Sequence, residues 1–119
     1  MITIIFEVIP KPGHKDAYLE VAASMREAVE TIDGFIEVER FQSLTNPDKL
    51  LSLSTFRDEA AVEEWRNLAV HRRAQSKGRN IYFENYRLRV VSVLRDYGKH
   101  DRAQAPADSR SVHENEDAS

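Results

Sequence analysis

The sequence predicts an α+β fold of the ferredoxin-like kind, a four-stranded antiparallel sheet with helices on one face. Three observations carry this. Apolar and β-branched residues gather in four short stretches, at residues 2–9, 35–44, 50–57 and 86–96. Between the first and second, apolar residues recur at steps of three and four, and between the third and fourth Asp58 is placed to cap a helix. The order is therefore β-α-β-β-α-β, the split βαβ arrangement.

Each element has local support. Residues 2–9 (ITIIFEVI) read as a strand, closed by Pro10-Lys11-Pro12-Gly13. From residue 14 to 32, Tyr18, Val21, Ala22, Met25, Ala28, Val29 and Ile32 form one helical stripe, opposite Lys15, Asp16, Glu20, Arg26, Glu27 and Glu30. Asp33-Gly34 stops that helix, because glycine accepts the left-handed backbone after a last turn. Residues 35–44 alternate as a second strand, Thr45-Asn46-Pro47-Asp48-Lys49 is a turn, and residues 50–57 return antiparallel. Asp58 is placed to cap a helix through Trp65. A further helical piece, about 68–77, stops near Gly78, and residues 86–96 form the last strand.

With 119 residues the chain makes one domain. Its 17 basic and 20 acidic residues, net −3, argue against a strongly basic nucleic-acid binder. No run of 18 apolar residues predicts a membrane span, and residues 1–7 lack the marks of a signal peptide, so a cytoplasmic protein is expected. Cysteine is absent, which excludes disulfides, thiolate metal sites and a cysteine nucleophile. The composition shifts after Tyr97-Gly98. Residues 99–119 hold no aromatic residue, one large aliphatic (Val112) and a net charge of −2. They read as a flexible acidic tail on a domain of residues 1–98.

Both sheet faces are apolar. In the first strand Ile2, Ile4, Phe6 and Val8 point one way, while Ile5 and Ile9 flank Glu7 on the other. In the last, Leu88, Val90 and Leu94 oppose Val91 and Val93. Helices cover one face only, so the second predicts a homodimer packed sheet to sheet.

The densest cluster of chemically capable residues runs from Trp65 to Gln75. His71 and Gln75 share a helix face with Ala74 and Gly78 nearby, a polar stripe of small residues that suggests a cavity with Trp65 as its wall. The competing reading makes Trp65 a core anchor and His71 a hydrogen-bonded core histidine. Glu7 sits mid-strand among apolar neighbours. It either meets His71 or Arg40 as an acid/base pair, or pairs with Arg87 or Arg89 on a neighbouring strand. Tyr82, Phe83 and Tyr86 either roof a flat ligand or close a core edge. Arg72, Arg73, Lys77 and Arg79 read first as a solvated helix face and second as an anion site. The four histidines show no metal-ligand spacing, and neither a nucleophile elbow nor a glycine-rich nucleotide loop is present. Redox chemistry here would use no cofactor, haem, or a loosely held group.

Several segments together carry a family resemblance: Gly34-Phe35, residues 43–49, residues 52–62, Trp65-Arg66-Asn67, His71-Arg72 with Gln75, residues 86–90, and Arg95-Asp96-Tyr97-Gly98. The set resembles the antibiotic biosynthesis monooxygenase (ABM) domain family over residues 1–98. The resemblance implies a dimeric α+β barrel of ferredoxin-like protomers, with a ligand pocket between sheet and helices. It implies two activities, cofactor-independent oxidation of hydroquinones or anthrones by O2 and, in another branch, haem binding or breakdown. The haem branch uses an Asn on the first strand, a Trp, and a His ten residues after it. Glu7, Trp65 and Gln75 stand at those positions, so only the Trp matches. For the quinone-forming reaction, Trp65, His71 and Glu7 are the expected catalytic residues. His71 acts as base or anion stabiliser and Trp65 as a stacking wall. Asn67, Gln75, Arg40, Phe83 and Tyr86 are the expected substrate contacts. A non-enzymatic dimer that binds a small ligand is the remaining reading.

Overall fold

The computed structural model describes residues 1–118, with side chains described through residue 113. Its elements are β1 (Ile2–Pro10), α1 (Lys15–Ser24), α2 (Arg26–Glu30), β2 (Phe35–Gln42), β3 (Leu50–Phe56), α3 (Glu59–Asn67), α4 (Ala69–Lys77), β4 (Phe83–Ser92) and α5 (Ala107–Ala118). A wide helical turn, Gly78–Tyr82, joins α4 to β4. The sheet is antiparallel in the order β2-β3-β1-β4, the ferredoxin-like topology.

The strand ends follow from pairing. β4 starts at Phe83 and stops at Ser92, rather than spanning 86–96. Ser92 pairs with Ile2, and one residue further Val93 N–H reaches the Met1 carbonyl at 3.0 Å. Leu94, beyond this last bond, is exposed. β2 ends at Gln42, whose amide donates to the Pro47 and Lys49 carbonyls at 3.0 Å and ties the hairpin turn.

The single helix expected over residues 14–32 is two. The Ser24 hydroxyl takes the Val21 carbonyl at 2.6 Å, and Met25 N–H turns to Ala22 at 3.2 Å. That Ala22 carbonyl also accepts from Arg40 Nη2, reaching across from β2 at 3.0 Å. Side chains inserted in the i→i−4 ladder break helices in this way. Gly34, at φ +97°, ends the second piece as expected. Asp58 caps α3, its Oδ1 accepting from Ala61 N–H at 2.9 Å. Gly78, expected as a helix stop, continues in a helical conformation. Glycine is needed there because a Cβ would collide with the Phe83 ring.

Ile2, Ile4, Phe6 and Val8 face the helices, and the buried residues there form two separate clusters. One holds Val29, Ile32, Phe56, Ala61, Val62 and Trp65, the other Val8, Tyr18, Ala22 and Leu50. On the opposite, uncovered face Thr3 and Thr55 hydroxyls lie 3.0 Å apart, and Phe41 is exposed. The expectation of a flexible tail assigned no regular element to residues 99–119. Among the described residues, Gln104 Oε1 accepts from Asp96 N–H at 2.9 Å, Ala105 is buried, and α5 follows Pro106. Pro106 opens a stretch with no glycine or further proline, and Asp108 sits in the first helical turn, both helix-favouring. Residue 119 lies outside the described residues.

Candidate functional site

A cavity of about 380 Å³ lies between the two core clusters, on the helix side of the sheet. Its floor is Ile4, Phe6, Ser52, Ser54, Leu88 and Val90, and α1 to α4, the wide turn, Val38 and Arg40 of β2 and Phe83 and Tyr86 of β4 supply the rest. Small residues keep it open. Ser52 and Ser54 stand where β3 would otherwise present large apolar groups, and Ala22, Ala74 and Gly78 face them.

Trp65 and His71 form one wall. Their rings stack with centroids 3.9 Å apart and planes 15° apart. In one continuous helix, residues six apart would not meet. They meet because Leu68 is extended (φ −62°, ψ 129°) and α4 restarts in a new direction. His71 Nδ1 lies 2.9 Å from the Trp65 carbonyl. A carbonyl only accepts, so Nδ1 carries the proton and donates it, leaving Nε2 as the basic nitrogen. Burial holds the imidazole below its ordinary value of 6.5, the Trp65 carbonyl opposes that shift, and the Arg72 charge adds to it. His71 is accordingly neutral at pH 7. Gln75 Nε2 lies 3.3 Å from the same Nδ1, while its Oε1 accepts from Arg72 at 3.0 Å.

On the other side, burial raises the Tyr18 phenol, with the adjacent Arg40 guanidinium pulling it down. Phe83 meets Tyr18 edge-on at 5.3 Å and lies 5.7 Å from Phe6 and 5.9 Å from Tyr86. Among the described residues no group of three or more His, Asp or Glu side chains is placed to hold a metal ion.

Six of the eight residues expected at the site line this cavity: Trp65, His71, Gln75, Arg40, Phe83 and Tyr86. Two do not. Glu7 is on the opposite sheet face, where its carboxylate meets Lys49 Nζ at 3.3 Å and Arg89 Nη1 at 3.7 Å. Odd-numbered β1 residues point away from the helices, so Glu7 cannot act with His71 or Arg40, and its pairing with a neighbouring-strand arginine is the reading that holds. Asn67 turns outward, donating to the Glu63 carbonyl at 2.9 Å and accepting from Arg72 at 2.8 Å. Of the basic run, Arg72 and Arg79 reach the cavity, while Arg73 and Lys77 do not. Tyr18, Ser52 and Ser54 are cavity residues that sequence reasoning missed. The two serines carried a signal, small polar residues alternating on the inward face of a central strand.

The family model described as antibiotic biosynthesis monooxygenase matches residues 1–77. The chain belongs to the ABM family. A Pyricularia oryzae protein named Jasmonate monooxygenase ABM is 47% identical over 93 residues, 78% of this chain and 43% of the relative. The chain thus spans less than half of that relative's length. A Deinococcus radiodurans structure carrying the ABM name superposes with a TM-score of 0.74 at 11% identity, covering 82% of this chain and 97% of that one. Rv0793 from Mycobacterium tuberculosis gives 0.73 at 15% identity, covering 82% and 98%. At these identities the two structures establish the ABM fold alone. No helix among the described residues is long and apolar enough to cross a membrane.

Proposed function

We propose that the chain is a monooxygenase that oxidises a small, ring-bearing organic substrate with O2 in the cavity beside Trp65 and His71, without a cofactor. The observation that carries this is a neutral imidazole with a basic Nε2 on the wall of a mostly apolar chamber. A hydroquinone or anthrone supplies its own electrons. His71 takes a proton from the acidic C–H or O–H, and the electron-rich anion reacts with O2. For an anthrone-type CH2, a hydroperoxide forms on that carbon. Loss of the second C–H proton then breaks the O–O bond, releasing water and leaving a carbonyl. One CH2 and one O2 give one C=O and one H2O, so atoms and electrons balance. Burial strengthens the polar contacts that hold the anion.

We further propose that the working unit is a homodimer through the uncovered sheet face, where Phe41 lies exposed and a partner would remove it from water.

The test is O2 uptake with a panel of anthrones and hydroquinones, with jasmonate included because the fungal relative bears its name. Expected are one O2 consumed per anthrone, no requirement for added nicotinamide, flavin or metal, and loss of turnover in His71→Ala and Trp65→Ala. Silence across the panel overturns the reading. A haemin titration runs beside it. Saturable binding at one haem per protomer, lost in His71→Ala, replaces this proposal with a haem-based one.

A further inference from the structure

The walls of the cavity are apolar, but every ionised side chain on it has the same sign. Arg26, Arg40, Arg66, Arg72 and Arg79 line it, and among the described residues no aspartate, glutamate or lysine does. The whole chain is net −3, so this segregation opposes the overall charge. Among the described residues only Arg26 of the five has a carboxylate within ion-pair distance, Glu30 at 2.8 Å. Arg72 is engaged by the neutral amides of Asn67 and Gln75. Exposed arginines at the rim of a cavity with low-dielectric walls focus a positive potential into its mouth.

Arg40 is tied to the backbone of a helix and, among the described residues, to no carboxylate. It reaches from the edge strand β2 to the Ala22 carbonyl with one nitrogen, and the Tyr18 hydroxyl lies beside it. A guanidinium carries five N–H donors in a fixed plane, and the Ala22 bond uses one. Tyr18 is buried and is part of the cavity wall, so this guanidinium spans the boundary between the apolar interior and water. Tyr86, Leu88 and Val90, also on the cavity, stay partly exposed on β4.

We infer that the cavity selects an organic carboxylate, its apolar ring or chain inside and its carboxylate anchored at the mouth by Arg40. This rests on the cavity being the substrate site proposed above, and it adds the substrate's charge. A neutral anthrone or hydroquinone without an acid group is then a poor fit, and one bearing a carboxylate a good one. The anchor also fixes which end of the molecule enters, presenting the apolar end to His71.

The test compares 1-naphthylacetate with its neutral amide, 1-naphthylacetamide, by titration calorimetry on the full chain. Binding is read without turnover. The acid is expected to bind about ten- to a hundredfold more tightly than the amide, the range of charge-assisted hydrogen bonds. In Arg40→Met the preference falls to near unity while amide affinity stays within about twofold. Arg40→Lys keeps the charge, loses the planar fork, and gives an intermediate ratio. Arg73→Met, a basic residue off the cavity, leaves the ratio unchanged. Equal affinities in the native chain overturn the inference, as does a preference that survives Arg40→Met, or an acid that fails to bind at millimolar concentration. The two proposals separate cleanly. A retained acid preference with no O2 uptake refutes the monooxygenase reading and keeps the anion site, whereas O2 uptake with equal affinities does the reverse.

Discussion

Gly78→Ala sets two effects of opposite sign against each other. Gly78 has helical dihedrals (φ −58°, ψ −53°), so alanine fits its backbone. On propensity alone the substitution stabilises by about 1 kcal/mol. The new Cβ, however, would overlap Phe83 Cε2 and Cζ and lie 3.2 Å from Cδ2. An aromatic ring evades such a clash only if it can turn or slide. Phe83 is hemmed in by Tyr18 at 5.3 Å, Phe6 at 5.7 Å and Tyr86 at 5.9 Å, and its backbone is fixed by pairing with Pro10. Overpacking of this kind costs about 1–3 kcal/mol. The net expectation is a loss of up to about 2 kcal/mol, or up to about 8 °C in Tm for a chain of this size. Urea and thermal unfolding measure it. Because Phe83 lines the cavity, 1-naphthylacetate affinity should fall as well. A Tm that rises, with ligand affinity unchanged, would show that the ring yields freely and refute the account of Gly78 as a close-approach residue.

Further expectations concern the site and its frame. The folded-state value of His71 lies below 6.5, so an unfolded chain takes up this proton first. Stability should therefore decline as pH falls below 6.5 toward the folded value, and His71→Gln should flatten that limb in pH-dependent urea titrations. If His71 is the base, kcat/KM loses rate on the acid side with a midpoint below 6.5, a limb missing from the variant. Glu7→Gln removes ion pairs that are partly open to solvent. It should cost less than about 1 kcal/mol and leave cavity ligands unaffected; lost turnover in a folded variant would return Glu7 to the chemistry. Asp58→Ala deletes the α3 cap and should cost about 1 kcal/mol by urea unfolding, and an unchanged midpoint would mean solvent replaces the cap fully.

The element order, the Asp58 cap and the Gly34 stop were legible because each depends on local periodicity or backbone chemistry. Glu7 shows where this ends. Alternation divides β1 into two sets, but with apolar residues in both it does not say which set meets the helices. That choice is made by packing, here by Phe56 and Val8 as the fully buried centres. Asn67 could have been excluded from sequence, since two residues along a helix from Trp65 is a turn of about 200°. The Trp65–His71 stack could not, because it depends on the break at Leu68. Nor could the division of the first helix, whose cause lies partly in Arg40, fifteen residues from the break at Met25. Helix breaks with distant causes leave no periodic trace.

The two apolar clusters that flank the cavity separate durability from recognition. Phe56, Ile32 and Ala61 at one end, with Val8 and Leu50 at the other, clamp the helices to the sheet and stay out of the chamber. Ser52, Ser54, Ala74, Gln75 and the rim arginines shape the chamber and add little to either clamp. Exchanges among the second set alter what the chamber accepts while the scaffold stands. A backbone built this way tolerates wide sequence change, as a superposition at a TM-score of 0.74 with 11% identity illustrates. In this chain the most informative positions for redirecting substrate choice are therefore those whose loss should hardly move the melting temperature.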